Sequence, residues 1–345
     1  MDVSATDQPL RLGPDDAVDL HLHTHASDGA WTPAGLIDYL AEKDFRVVAV
    51  CDHDTQRSVL EATRLGQERG VRVVPGVEVT SRWSDRQWHV LVYGIAPDRD
   101  DAAVEPFQMM LAELDTELQR LAADARRRFE ESGRPLPSLP EMHGDRPVWP
   151  FHVLSAAIKD GHAKDLKEAA ELTVTLGGGF SADQPLERVV DTAHRAGGIC
   201  IMAHPGRSDS VGVMTAADLD KMLAEVPLDG LEAHYRSYTD EQTALYRGLA
   251  ADRGVLISCG SDSHAPGKPV DPRPWKAAWC AALLGQLGIA VETPVGATRA
   301  WACGIDPLAA VPEAPKADGA GDGGTEDAAS GEAAPREQLM DAKAG

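Results

Sequence analysis

The 345-residue chain has no apolar run approaching the ~20 residues needed to cross a bilayer, so no segment reads as a membrane helix. Its opening, MDVSATDQPLRLGPDD, lacks the basic and apolar regions of a signal peptide, and a cytoplasmic location is expected. Cysteine is scarce. The five residues Cys51, Cys200, Cys259, Cys280 and Cys303 are odd in number and show no CxxC spacing, which suits reduced, mostly buried thiols and argues against a disulfide framework or cysteine-held zinc. Basic residues are also in deficit. Lys and Arg total 33 against 55 Asp and Glu, a formal charge of −22, so the basic footprint of a duplex-binding protein is missing. Neither duplex nucleic acid nor a membrane is therefore an expected partner, though a small nucleotide could still bind at a metal site.

Hydrophobic residues at 43% and charged residues at 26% are ordinary for a chain that builds a folded core. Short β-branched runs that end in polar residues predict seven strands, at 17–21, 47–52, 71–78, 88–94, 199–204, 231–235 and 255–262. Helical patterns alternate with several of them. Thr32-Pro33 makes a good N-cap and N1 pair for a helix to Asp44, and the pattern from Ser58 stops at Gly70. Such alternation favours a parallel α/β barrel or a doubly wound sheet. It breaks between Asp98 and Asp183, where Val104–Glu131 reads as one long helix and Val153–Leu176 as two shorter ones around Gly161. The expected organisation is a barrel from 1–98 and 184–308, a helical insertion at 99–183 capping the barrel mouth, and an acidic disordered tail at 309–345. The last 35 residues carry eight acids against three bases and almost no large apolar side chains.

The informative feature is where histidines and carboxylates fall relative to those strands. DLHLHTHASDG puts His21 and His23 two apart at the end of the first strand, on one side of it, with Asp28 in the following loop. CDHDT places His53 at the end of the second, GVEVTS places Glu78 at the end of the third, and QWHVLVYG places His89 at the start of the fourth. IMAHPGR supplies His204, and CGSDSH supplies Asp262 and His264. A lone strand-end histidine is ordinarily a satisfied polar residue. Six histidines and three acids at strand ends point instead to one shared site, because a (β/α) barrel assembles its active site from several C-terminal strand ends. Imidazole and carboxylate donors without thiolate suit Mn²⁺, Fe²⁺ or Zn²⁺. Nine donors exceed what one ion takes, so two or three ions are expected, with a carboxylate such as Glu78 bridging and a bridging hydroxide as nucleophile.

These blocks, in this order, resemble the PHP (polymerase and histidinol phosphatase) superfamily, and in particular its stand-alone metal-dependent phosphoesterase branch, from about Ala17 to His264. The resemblance implies a distorted (β/α)7 barrel and a trinuclear metal centre. It groups His21, His23, Glu78 and Asp262 around one ion, Glu78, His89 and His204 around a second, and Asp28, His53 and His264 around a third. Of these, Asp262, His264, His53 and Glu78 are the candidate catalytic residues. Arg207, in AHPGR, matches an arginine-bearing motif of the family and is the candidate phosphate clamp, its planar fork suiting bidentate contact. Two departures concern substrate. The basic RPHFAR-like segment of the family reads WPFHVLSAA here, keeping His152 but placing Ser155 where arginine would stand, and the following basic loop becomes LGGGFSAD. The family's Tyr-His order after the sixth strand appears as His234-Tyr235, with Arg236 next to it. His152, His234 and Arg236 thus join Arg207 as candidate substrate contacts, the histidines also as proton donors to a leaving oxygen. His25, His143, His162 and His194 fall outside the motifs and are expected at the surface. The tryptophans are assigned to packing, with Trp83 and Trp88 close enough in sequence to line a pocket.

The expected activity is hydrolysis of a phosphomonoester or short phosphodiester, which the resemblance directs towards a nucleotide, a 3′,5′-bisphosphonucleotide or short RNA. The missing basic residues favour, as an alternative, a sugar or other small-metabolite phosphatase of a specialised pathway. A non-catalytic, metal-supported scaffold is the remaining alternative, disfavoured because every ligand position is filled.

Overall fold

A computed structural model describes residues 10–143, 146–179, 182–207, 213–292 and 301–303. The tail expected at 309–345 lies outside the described residues. Seven main strands form a curved sheet in sequence order: β1 (Ala17–Leu22), β2 (Phe45–Val50), β3 (Arg72–Trp83), β4 (Arg86–Tyr93), β5 (Ile199–Met202), β6 (Gly230–Tyr235) and β7 (Leu256–Gly260). Hydrogen bonds from Asp262 N to His21 O at 2.8 Å and from His23 N to Ser263 O at 3.0 Å bring the last strand back beside the first, so the sheet is a nearly closed barrel. The short strand Trp275–Lys276 adds to the outer edge of β1.

Each of the seven expected strands is present, and one departs from the parallel expectation. β4 runs antiparallel to both β3 and β5. The cause is local: Ser84 and Asp85 take φ of +50° and +61°, so a two-residue turn pairs Trp83 with Arg86. Such a turn can only return the chain antiparallel, whereas a parallel neighbour needs a crossover of a dozen residues or more. The reversal puts the start of β4 at the end of the barrel where the other strands finish. It also extends β3 five residues beyond the predicted stop at Glu78. Trp83 and Trp88 lie on this hairpin in the apolar layer outside the sheet, Trp83 donating to Glu225 at 2.8 Å, so they pack the barrel wall.

Helices cover the outside. In α1 (Pro33–Glu42) the Thr32 hydroxyl accepts the Gly35 N–H at 3.0 Å and Pro33 occupies the first turn, while Leu36, Ile37 and Leu40 face the sheet. α2 (Val59–Arg69) stops at Gly70, whose φ of +77° is the left-handed cap that glycine adopts without strain. The insertion is α3 (Glu105–Glu131), α4 (Leu139–His143), α5 (Pro150–Lys159) and α6 (Leu166–Thr175). α3 buries Phe107, Met110, Leu114, Leu118, Leu121, Ala125 and Phe129 along one stripe. Its outer face carries i,i+4 ion pairs such as Arg126–Glu130 and Arg127–Glu131. Each large buried apolar side chain contributes about 1.5–3 kcal/mol, against roughly 0.3–0.5 for an exposed helical ion pair, so the stripe fixes how α3 docks. α7 (Leu186–Arg195), α8 (Ala216–Glu225), α9 (Asp240–Arg253) and α10 (Ala281–Gln286) complete the outer layer. Among the described residues no helix is long and apolar enough to cross a membrane.

Candidate active site

All nine sequence-predicted metal ligands meet at the end of the barrel where the parallel strands finish. Glu78, 1% exposed, is the centre. Its Oε1 lies 2.9 Å from His89 Nδ1 and 2.9 Å from His204 Nε2. Its Oε2 lies 3.0 Å from His21 Nε2, 3.1 Å from His23 Nε2 and 3.4 Å from His53 Nε2. Asp262 Oδ1 is 3.0 Å from His23 Nε2 and 3.4 Å from His264 Nδ1. Asp28 Oδ2 is 3.4 Å from His264 Nε2 and 3.7 Å from His53 Nε2. β4 delivers His89 to this group because it is reversed, with His89 opposite Thr80 just beyond Glu78 on β3.

These donors form overlapping clusters. His21, His23, Glu78 and Asp262 each offer an atom within 4.8 Å of the others, as do His23, Asp28, His53 and His264, and again His53, Glu78 and His89. His21 Nε2 and His23 Nε2 face each other at 3.1 Å, and both face Glu78 Oε2. Three lone-pair atoms pointed at one place repel unless a proton or a cation lies among them. His23 Nδ1 is also buried with no hydrogen-bond partner, although buried polar groups are normally satisfied. The donor set therefore fits divalent ions, with imidazole and carboxylate supplied and thiolate absent.

Without a cation, protons must supply the positive charge. Burial disfavours protonation of His23, but its hydrogen bonds to Asp262 and Glu78 outweigh that and raise its pKa to about 10. Burial likewise opposes charge on His21, and Glu78, Glu232 and Asp262 together still hold it well above the usual imidazole value. Burial pushes the Glu78 carboxyl up, yet His53, His21 and His89 keep it well below the ordinary range. For Asp262 the force overcoming burial is first Arg236, then His21 and His264. For Asp28 it is His264 and His53. Carboxylates this firmly ionised among imidazoles are what a cation site requires.

Two arginines stand at the edge of this group. Arg236 Nη1 bonds to Asp262 Oδ2 and lies 2.9 Å from the Asp262 carbonyl, and Arg207 Nη1 is 3.6 Å from the same Oδ2. Their guanidinium carbons sit 4.7 Å and 5.8 Å from the centre of the Tyr235 ring. The Tyr235 hydroxyl donates to Asp262 Oδ2 at 2.7 Å. His264 is the ligand histidine most open to solvent, its side chain 22% exposed.

Of the other two expected contacts, His234 lies elsewhere. A register shift between Glu232 and His234 turns the His234 ring out of the barrel. There it stacks on Trp279 at 5.0 Å and its Nε2 accepts from Arg247 at 2.8 Å. Burial and the Arg247 charge hold it well below the usual histidine pKa. His234 is thus not brought to the ligand group, and Tyr235 takes the inward position. His152 caps its own helix, its Nδ1 accepting the Trp149 N–H at 3.0 Å. Ser155 is half-buried on α5. The insertion reaches the loops leaving β1 and β2: Arg146 donates to the His25 carbonyl, Arg57 pairs with Asp115 on α3 at 2.7 Å, and Asp115 accepts the Trp149 indole N–H at 2.9 Å.

Several functional residues lie outside the nine. Asp52 accepts Thr24 N at 2.7 Å and the Ser27 hydroxyl at 2.7 Å, fixing the loop that carries His23 and Asp28. Asp54 accepts Thr80 N at 2.6 Å and the Thr80 hydroxyl at 2.8 Å, holding β3 beside Glu78. Burial raises the Asp19 pKa to about 7 against the hydrogen bonds it takes from Ser261 and Arg273. Glu232 is buried behind His21. The available signal was an acid inside an otherwise apolar strand, as in AVDL and GLEA, since such a residue must find buried partners. His204 and Asp262 have φ of +29° and +53°, a conformation unusual for non-glycine residues and concentrated at functional sites.

No protein-family model matches the chain. It is 29% identical over 268 residues to a 3′,5′-nucleoside bisphosphate phosphatase of Chromobacterium violaceum, covering 73% of this chain and 88% of that protein. It is 28% identical over 258 residues to a 5′-3′ exoribonuclease of Haemophilus influenzae, covering 72% of this chain and 90% of the relative. A solved structure from Bifidobacterium adolescentis, assigned as a metal-dependent phosphoesterase, superposes with a TM-score of 0.62 at 26% identity, covering 76% of this chain and 91% of that one.

Proposed function

The chain belongs to the PHP superfamily, in its branch of metal-dependent phosphoesterases, and we propose that it hydrolyses a nucleotide ester, either a 3′,5′-bisphosphonucleotide or the end of a short RNA. It is a hydrolase of phosphate esters. One observation carries the nucleotide assignment: two arginines, Arg207 and Arg236, converge on the Tyr235 ring beside Asp262. A substrate with a second phosphate needs a cationic clamp near the scissile bond, and the guanidinium fork supplies it.

Two or three divalent ions, Mn²⁺, Fe²⁺ or Zn²⁺, are proposed as cofactors. His21, His23, Glu78 and Asp262 would hold the first, Glu78, His89 and His204 the second, and Asp28, His53 and His264 the third. Such ions supply charge that neutralises phosphate oxygens and a lowered pKa for water. The chain's own residues do the rest. Glu78 joins two ligand groups, Tyr235 and Arg236 fix Asp262 through Oδ2, Arg207 orients the phosphate, and His264 and His53 line the approach from the Asp28 side. The insertion at 99–183 acts as the cap that limits the size of what enters. Four buried free thiols, Cys51, Cys200, Cys259 and Cys280, suit a reducing, cytoplasmic setting.

A second reading, a sugar or other small-metabolite phosphatase, is favoured by Ser155, which leaves the insertion one cation fewer, and by the pairing of Arg57, in the loop after β2, with Asp115. Phosphate release measured over nucleotides, bisphosphonucleotides, sugar phosphates and short RNA separates the two. Preference for a bisphosphonucleotide or RNA end is expected, and preference for sugar phosphates would overturn the nucleotide assignment.

A further inference from the structure

Glu232 lies in the middle of β6 and is 0% exposed, in a strand that otherwise reads GL–AHY. It belongs to none of the clusters of candidate ligand atoms. Both of its oxygens are nevertheless engaged by ligand residues. Oε1 lies 3.0 Å from His21 Nδ1, and Oε2 accepts the backbone N–H of His204 at 2.8 Å. The opposite nitrogen of His21 faces Glu78 Oε2 at 3.0 Å, and His204 Nε2 faces Glu78 Oε1 at 2.9 Å. One carboxylate thus stands behind one ligand from each side of Glu78. The space it occupies is kept clear, because a Cβ on Gly260 would fall 2.2 Å from His21 Cβ and 2.4 Å from Glu232 Oε1.

We infer that Glu232 is a positioning residue of the metal centre, which fixes the His21 tautomer and the His204 backbone together without itself binding an ion. With Nε2 given to an ion shared with Glu78, the neutral His21 ring carries its hydrogen on Nδ1, where Glu232, which only accepts, takes it. His204 holds a φ of +29°, which an L-residue keeps only when its surroundings enforce it, and the bond to Glu232 is such an enforcement. The inference rests on the reading of this cluster as a divalent-ion site. Carboxylates behind metal-bound histidines set ligand orientation and basicity, and removing one weakens metal binding about 10–100-fold.

The test is a titration of the full chain with Zn²⁺ alone, against a chromophoric chelator, for the wild type, Glu232→Gln and Glu232→Ala. The expected result is affinity falling in that order, by about 10–100-fold for the alanine, at unchanged stoichiometry. Nitrogen-15 spectra of the zinc-loaded wild type should show His21 protonated at Nδ1, a readout that stands even if a variant does not fold. Wild-type zinc affinity in Glu232→Gln, one fewer ion at saturation, or an Nε2–H tautomer of His21 would each overturn the inference. A fall in melting temperature with unchanged zinc affinity would also overturn it, as the mark of a merely structural role. A wild type that binds zinc in this way yet cleaves no phosphate ester would refute the phosphoesterase reading and leave the positioning role standing.

Discussion

Replacing Glu78 with glutamine tests the centre of the account with almost no change in volume. The carboxylate has five imidazole nitrogens between 2.9 and 3.4 Å from its two oxygens. Glutamine keeps one oxygen and turns an NH₂ group towards the others. In the metal-free protein this leaves buried imidazolium charge without its counter-ion, and breaking a buried pair from one side costs about 3–5 kcal/mol. In the metal-loaded protein one of three ligand carboxylates becomes neutral. A unit charge at contact distance is worth about 4 kcal/mol at an effective dielectric of about 20, which is about 10³-fold in affinity. Glu78→Gln should therefore melt lower than wild type when stripped, bind divalent ions on the order of 10³-fold more weakly, and lose hydrolysis in step with metal. The assay is elemental analysis of dialysed protein beside phosphate release and a calorimetric scan. A variant that kept wild-type metal content and turned over within tenfold of wild type would refute the reasoning, because among the nine ligand residues Glu78 is the carboxylate that faces His89 and His204 with one oxygen and His21, His23 and His53 with the other.

Three further outcomes follow from the geometry. Arg207→Ala should lower kcat/KM by about 10–100-fold, the loss of a charge-assisted contact of roughly 1.5–3 kcal/mol, with metal content unchanged; equal kcat/KM on a bisphosphonucleotide would remove Arg207 from substrate binding. The His23 pKa is raised to about 10 in the folded, metal-free state, so its contribution to stability is complete below the unfolded value of 6.5 and is lost as pH rises towards 10. The stripped protein should lose melting temperature across that window while the zinc-loaded protein does not, since ligation needs the unprotonated ring; parallel curves would contradict the assignment of His23. His234→Gln should leave kcat/KM within about twofold and shift only the melting temperature, as its ring packs on Trp279 outside the site; a hundredfold loss of activity would return it to the catalytic group.

The histidine and carboxylate cluster was legible in the sequence because these residues at successive strand ends leave a one-dimensional trace of a three-dimensional group. His21 and His23 share a strand side by simple alternation, and the HPG and DSH blocks end their strands where apolar runs stop. Less was legible where the backbone departs from regular repeats. The Ser84–Asp85 turn reverses β4, and nothing in the run QWHVLVYG records direction. The register shift before His234 exchanges the faces of His234 and Tyr235, so a motif match assigned the inward position to the wrong neighbour. Glu232, Asp52 and Asp54 act through other residues, and their partners at His204, Thr24 and Thr80 are far away in the chain. The helical insertion was visible as a break in alternation, whereas its docking through Arg57, Asp115 and Trp149 depends on tertiary contacts between separate elements.

The most direct measurement is phosphate release from adenosine 3′,5′-bisphosphate by the purified chain, run in parallel on protein stripped with chelator and on protein reloaded with Mn²⁺, Fe²⁺ or Zn²⁺ and analysed for bound ions. The account predicts at least two ions per chain, no turnover when stripped, and turnover restored by reloading. Two or more tightly bound ions with no hydrolysis of this or any other phosphate ester would contradict it.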